Sequence, residues 1–419
     1  MDRANSCLVP DKPVVTHEIG QYCTYPDLRE IGKYTGVLQA RNFGIFRERL
    51  EEKGMLCMAE DFFRCSGQLA VQCYKEELEA AMRSEYLAGF QILDIQDFSG
   101  QGTALVGILD AFMDSKGLIS AENWRGFCSD SVILAQFPSY VLTSGEVFTA
   151  KISLRHYAPD GVHAPLTCRL TCGDDCLSET VLPVDIDGRG LFSVGSFTVQ
   201  LPETNAARKL NLTLILPHTK NSYALRLFPS QSMPTLTADG VCVTSDWAKA
   251  RNALEIGEKV LFLPGAVTDS IAGFYCTDFW CYPMFRRISE SMEKPVPVGT
   301  LGLCIQNEHP ALAGFASEPW STPQWYDIVT HADCAVLDGT GLVPIVQMID
   351  NFERNHRLGI LFECRVGNGS LLVCTARLSE IADRPEAAQF ARSILAYAAS
   401  DNFAPEQSAD AEMLTKIFG

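Results

Sequence analysis

Apolar and polar positions along the chain fall into three successive regimes. In the first, up to about Pro138, helical spacing alternates with short apolar runs. Asn42 to Gly54 places Phe43, Ile45, Phe46 and Leu50 on one side of a helix that Gly54 stops, and Gln68 to Ser84 reads as a second amphipathic helix. Two apolar runs read as strands that end on acids: Pro13 to Glu18, broken by Gly20, and Tyr86 to Asp94. Helix, strand and terminal acid is the order of an α/β barrel, whose active sites sit at the C-terminal ends of its strands.

The second regime, Ser139 to Pro229, loses the helical period. Val147 to Leu154, Leu166 to Leu170 and Lys209 to Leu216 alternate or run apolar. Turn clusters such as Ala158-Pro159-Asp160-Gly161 and Asp185-Ile186-Asp187-Gly188 separate them. Short strands at this spacing predict an immunoglobulin-like β-sandwich. The third regime restores alternation: a helix at Trp247 to Ile256, strands at Lys259 to Gly265, Leu358 to Glu363 and Ser370 to Cys374, and a helix at Ala387 to Ala399. Val366-Gly367-Asn368-Gly369 reads as a hairpin turn between the last two strands. The expected fold is multidomain α/β plus all-β. Residues 1–138 hold the C-terminal part of a (β/α)8 TIM barrel, 139–232 the sandwich, and 233–419 a flavodoxin-like α/β domain with a C-terminal tail.

Composition narrows the partners. A formal net charge of -17 repels phosphate backbones and anionic head groups, so nucleic acid and membrane surfaces are not expected partners. No run reaches the roughly 18 apolar residues of a membrane span, and Met1 to Cys7 lacks the apolar core of a secretory signal. The expected location is the cytoplasm. The 16 cysteines are scattered, and Cys168, Cys172 and Cys176 lack the paired knuckles and His partners of a zinc site. Free thiols in a reducing compartment are the expectation. No cofactor or metal is predicted.

Glu18 is the first candidate for chemistry, as a carboxylate delivered to a barrel mouth. A plain ion-pair role beside His17 is the alternative. What favours chemistry is the second acidic strand end, Asp94 and Asp97, followed by Phe98-Ser99-Gly100-Gln101-Gly102. Carboxylates and amides grip sugar hydroxyls, and Tyr22, Tyr25 and Phe98 supply ring faces. A zinc-protease motif fails because Gln21 stands where H-E-x-x-H needs its second histidine. No G-x-S-x-G, G-x-G-x-x-G or P-loop occurs. An amidotransferase-like third domain would need a Cys on a sharp turn with a His partner. Cys304 and Cys374 lie instead in strand-like runs, and His309 precedes Pro310.

The runs His17-Glu18-Ile19-Gly20-Gln21-Tyr22, Lys33 to Leu38 and Gly89 to Gly107 resemble the last part of the catalytic barrel of glycoside hydrolase family 2, the β-galactosidase and β-glucuronidase group. His309-Pro310, Trp320, Gln324-Trp325, Pro344 to Gln347 and Asn351 resemble the C-terminal α/β domain of large bacterial members. The resemblance implies a retaining glycosidase, with Glu18 matching the nucleophile after strand 7. Asp94 or Asp97, at the eighth strand, matches sugar-contacting positions; His17 either holds the ionised Glu18 by a hydrogen bond or is structural, and Tyr22 and Gln101 join them as candidate substrate-binding residues. The family's acid/base, within an Asn-Glu pair, has no counterpart here, since Asn307-Glu308 lies in the third domain. The chain is therefore expected to be poorly active alone and truncated relative to the family. An upstream polypeptide would complete the barrel, the substrate would be a carbohydrate, and self-association stays open. The alternative is a non-catalytic carbohydrate-binding or oligomerisation module.

Overall fold

A computed structural model of the chain describes residues 11–275, 290–293 and 299–419, so Met1 to Cys7 lies outside the described residues. Strand β1 (Val14–Ile19), helices α1 (Arg41–Glu52) and α2 (Ala59–Arg83) and strand β2 (Leu87–Ile92) follow in order. Helix α1 forms where the periodicity placed it, burying Phe43, Phe46 and Leu50 and ending at Gly54 with φ +66°, while Ile45 stays exposed. Helix α2 begins at Ala59, earlier than Gln68, because buried Phe62, Phe63, Cys65 and Leu69 continue its apolar side. The fold is multidomain, mixed α/β and rich in strands.

The chain separates into two units. One contains 11–21, 71–97 and 106–230, and the other contains 22–70, 98–105 and the described part of 231–419. Helix α2 gives its residues from Val71 onward to the first unit and the preceding ones to the second.

In the first unit β1 and β2 pair in parallel, with Val15 opposite Gly89 and Ile19 opposite Ile92. No barrel closes: among the described residues these two strands form a sheet of two, and closure takes about eight. After them come the short helix α3 (Ala121–Arg125) and eight strands: β3 (Ser131–Gln136), β4 (Val141–Thr143), β5 (Val147–His156), β6 (Val162–Cys172), β7 (Asp175–Ile186), β8 (Gly190–Gln200), β9 (Arg208–Leu216) and β10 (Thr219–Phe228). They make a three-stranded sheet, β3-β5-β8, and a five-stranded one, β4-β10-β9-β6-β7. Ile152, Leu154 and Phe197 from the first share a core with Leu166, Leu170, Leu212 and Leu225 from the second. The alternation that predicted these strands is visible in β5, where Phe148, Ala150 and Ile152 are buried and Val147, Thr149 and Lys151 exposed.

A buried carboxylate fastens α2 to these sheets. Glu79 has no exposed surface. Its Oε1 accepts from Asn221 Nδ2 at 2.8 Å and from the Lys75 ammonium, and its Oε2 from Tyr223 Oη at 2.8 Å and Arg83 at 3.1 Å. The Lys75 ammonium also lies 4.1 Å from the centre of the Tyr223 ring. Burial and Glu79 hold the Tyr223 hydroxyl well above its ordinary pKa, so it stays a donor. At the end of α2, buried Arg155 on β5 donates to the carbonyls of Met82 and Ser84, closing off helix carbonyls that would otherwise lack partners.

In the second unit one sheet has, among the described residues, eight strands: β11 (Val241–Thr244), β12 (Lys259–Phe262), β13 (Ser270–Ala272), β14 (Thr300–Ile305), β15 (Asp333–Val336), β16 (Val346–Asp350), β17 (Arg357–Val366) and β18 (Gly369–Cys374). Among the described residues after Gln231 this unit also holds helices α4 (Trp247–Glu255), α5 (Tyr326–Thr330), α6 (Pro385–Ala399) and α7 (Ala411–Phe418). The flavodoxin-like expectation needs correcting in strand direction. Among the described residues of this sheet only β11-β12-β18 pair in parallel, and its remaining ladders are antiparallel. The hairpin turn at Gly367-Asn368 dictates this, because two residues join antiparallel strands and parallel neighbours need a crossover of a dozen or more. Trp247, Phe262 and Phe418 form an aromatic cluster between the sheet and helices α4 and α7.

Two outcomes follow from these buried acids. Glu79→Ala should cost about 3–5 kcal/mol, because Lys75 and Arg83 lose their counter-charge in a buried setting; urea unfolding at neutral pH measures it, and a cost below about 1 kcal/mol would contradict the network's role. Glu386, at the start of α6, has its carboxyl raised to about 7, chiefly by burial and then by Asp327, with Arg384 opposing. The unfolded chain releases this proton near 4.5 and the folded chain near 7, so the stability tied to the protonated form is intact below pH 4.5 and is lost as the pH climbs through 7. Glu386→Gln should flatten that slope, worth on the order of 3 kcal/mol, in unfolding curves from pH 4 to 8.

Candidate functional site

The parallel pairing of β1 and β2 sets their C-terminal ends side by side. Leu93 N donates to Ile19 O at 2.9 Å, extending the pairing to the residue before Asp94. The ladder is irregular between Thr16 and Ile19, and within that irregularity Glu18 adopts φ +53°, a left-handed conformation uncommon for a residue with a side chain. Gly20 follows with φ +83°; a Cβ there would stand 2.2 Å from the Tyr74 ring. Its amide donates to Glu77 Oε2 at 2.9 Å, so α2 holds the strand end by a ring and a carboxylate.

His17 and Glu18 face solvent, with side chains 75% and 50% exposed. His17 Nε2 lies 3.2 Å from Glu18 Oε1, and its Nδ1 lies 3.0 Å from Gln91 Oε1 on β2. The imidazole therefore links the Glu18 carboxylate to the neighbouring strand. Asp94 Oδ1 accepts from the Ile95 amide at 2.7 Å, and the Asp94 carbonyl accepts from Tyr74 Oη at 3.1 Å. The Leu93–Asp94 peptide is cis.

Asp97 occupies a different setting. It is buried, with Oδ1 accepting from Lys116 Nζ at 2.7 Å and from the Gly107 amide at 2.9 Å. Burial raises its pKa and the Lys116 charge opposes the rise. The pair is arranged to hold the turn at Gly107, where a Cβ would come within 2.3 Å of the Gln96 carbonyl carbon.

Tyr22 and Gln101 belong to the second unit, whereas His17, Glu18, Asp94 and Asp97 belong to the first. The Gln101 loop is fixed by Asn42 Nδ2 donating to Gly102 O at 2.9 Å and by Thr24 N donating to Leu105 O at 2.9 Å. Gln101 Nε2 is buried without a hydrogen-bond partner among the described residues. Tyr25 is buried, its hydroxyl donating to Asn355 Oδ1 at 2.9 Å, while Phe98 is exposed.

Gln91, Glu77, Tyr74 and Lys116 all position candidate groups and were absent from the sequence expectation. Gln91 and Lys116 lack a local signal. Tyr74 and Glu77 sit three residues apart on the predicted helix, so their common face was readable, but the target of that face was not.

In the second unit Cys374 is fully buried and its thiol is pushed up to about 12 by that burial. His309 Nδ1 accepts from the Ala311 amide at 3.2 Å, which places the ring proton on Nε2, 3.7 Å from Glu363 Oε1. Tyr397 Oη donates to Glu363 Oε2 at 2.7 Å. Among the described residues no group of three or more His, Cys, Asp or Glu could hold a metal ion, and no helix is long and apolar enough to cross a membrane.

Two families match parts of the chain, both described as domains of unknown function: DUF8488 over residues 146–229 and DUF8487 over residues 242–419. No curated protein matches in sequence. Among solved structures, the chain is similar to the CARDB domain of a Pyrococcus furiosus protein in complex with di-metal ions, at 9% identity and TM-score 0.18, over 23% of this chain and 92% of that one. It is similar to a Parabacteroides merdae beta-glucuronidase at 12% identity and TM-score 0.18, over 32% of this chain and 21% of that one. It is also similar to a Paenibacillus cycloisomaltooligosaccharide glucanotransferase at 14% identity and TM-score 0.20, over 30% and 19%. The chain thus spans about a fifth of each of these two carbohydrate-active enzymes. These likenesses are too distant to assign an activity.

Lys116→Met should destabilise the first unit by about 3–5 kcal/mol, since Asp97 is left as an unpaired buried charge. The double replacement Asp97→Asn with Lys116→Met should recover most of the loss. Equilibrium denaturation of the single and double variants measures both, and equal stability of Lys116→Met and wild type would refute the pairing.

Proposed function

We propose that the chain supplies the C-terminal portion of a retaining β-glycosidase acting on β-galactoside- or β-glucuronide-like carbohydrates, with Glu18 as its nucleophile. One observation supports this above others: β1 and β2 run parallel and adjacent, and each leads at its C-terminal end into an acid, the first of them a solvent-accessible carboxylate. On this reading they are the seventh and eighth strands of a (β/α)8 barrel. Residues 1–138 then form the barrel portion, 139–232 an immunoglobulin-like sandwich and 233–419 an accessory α/β domain.

The chemistry assigned to this chain is one half of a double displacement. The Glu18 carboxylate attacks the anomeric carbon and forms a glycosyl ester, and water later cleaves it with net retention. His17 positions Glu18 from the neighbouring strand, and Asp94 accepts hydrogen bonds from sugar hydroxyls. The general acid that protonates the leaving oxygen, held about 5–5.5 Å from the nucleophile in such enzymes, comes from a polypeptide that completes the barrel. A second reading, a non-catalytic carbohydrate-binding module, is favoured by the burial of Asp97 against Lys116, which withdraws one acid from that end of the sheet.

Activated 2-deoxy-2-fluoro β-glycosides separate the two, because their good leaving groups need no general acid. Intact-mass spectrometry of the folded chain should find a single sugar adduct that maps to Glu18 and is missing in Glu18→Gln. Carbohydrate binding without any adduct would overturn the catalytic role and leave the binding module.

A further inference from the structure

The first part of α2 packs directly on β14 in the second unit. At Gly302, with φ +88°, a Cβ would lie 2.7 Å from Leu69 Cδ2, so helix and strand approach closely there. One helical turn before Leu69 is Cys65, and two residues beyond Gly302 is Cys304. Four residues along α2 keep Cys65 on the same side as Leu69; β14 is irregular between Thr300 and Leu303, so the place of Cys304 is set by its other contacts. Pro319 O fixes their approach independently: it accepts from Cys65 Sγ at 3.3 Å and from the amide of Ile305, the residue after Cys304, at 2.9 Å. Cys304 also bridges to Trp320, the residue after Pro319. Cys304 stands close enough to Cys65 to act on its thiol, and neither cysteine is in a disulfide.

We propose that Cys65 and Cys304 form a reactive dithiol that a low-molecular-weight disulfide of the glutathione type converts to an intramolecular disulfide tying α2 to β14. The site stands apart from the Glu18 chemistry and does not rest on it. Cys304 is partly exposed while Cys65 is buried, which sets the order of events. The Cys304 thiolate attacks one sulfur of the small disulfide; that S–S bond breaks, a mixed disulfide forms, and one small thiol departs with a proton. Cys65 then gives up its proton and attacks the Cys304 sulfur, and the second small thiol leaves. Two protein thiols are oxidised and one small disulfide is reduced to two thiols. The neighbouring Cys304 and burial hold the Cys65 thiol well above its ordinary pKa, so Cys304 reacts first and the attack by Cys65 is the slow step.

The test uses the folded full chain incubated with oxidised glutathione, quenched in acid with an alkylating agent, and read by intact mass and peptide mapping. The expected product carries no glutathione at Cys65 or Cys304, has lost two hydrogens there, and yields a Cys65 peptide cross-linked to a Cys304 peptide. In Cys65→Ala the mixed disulfide should persist at Cys304, because nothing resolves it; in Cys304→Ala no adduct should form at Cys65. A wild-type chain that keeps glutathione on Cys304, stays fully reduced at both positions, or closes a disulfide between other cysteines would overturn the proposal.

Discussion

A carboxylate with no exposed surface must be answered by donors on every side, and Glu79 imposes that requirement on the first unit. Its partners come from α2 itself and from Asn221 and Tyr223 on β10, so the requirement is met only when helix and sheet are assembled together. Tyr223 in turn receives the amide of Ala135 on β3, which carries the same arrangement into the three-stranded sheet. A purely apolar helix face could slide along its sheet at little cost. A charge with four directional partners cannot, because any shift strands a buried ion. The placement of the rest of α2 follows, including Tyr74 and Glu77 beneath Gly20 and the strand end that presents Glu18.

The candidate site is thus held from behind. Glu18 is exposed and its backbone is left-handed, yet the residues on either side are fixed: Ile19 by its pairing with Ile92, Gly20 by the Tyr74 ring and the Glu77 carboxylate, and His17 by Gln91. A carboxylate aimed into solvent from a secured backbone is pre-positioned, which lowers the cost of ordering it around a ligand. Asp97 shows the opposite arrangement, a carboxylate spent on its own loop.

Much of this architecture was legible in sequence wherever period and punctuation agreed. Gly54 ends α1, Gly367-Asn368 makes the hairpin, and the alternation through Phe148, Ala150 and Ile152 gives a half-buried strand. Strand direction was legible too, but only by following the hairpin to its consequence: a two-residue turn before Ser370 excludes the all-parallel sheet that helix-strand alternation suggested. What stayed hidden depends on distant partners. Asp94 and Asp97 look alike in sequence, and only Lys116, 19 residues further on, separates them. Ile45 sits in an apolar pattern yet faces outward, since periodicity gives a direction and no account of what lies there.

The Tyr25 hydroxyl bonds Asn355 across 330 residues of chain, and its ring stands edge-on to both Phe62 and Phe352. During synthesis at about 5–20 residues per second, Tyr25 waits roughly 15–70 seconds for that partner to be made. The Tyr25–Asn355 contact therefore closes only after the chain around Asn355 has been made, and slowing elongation before Phe352 would delay it.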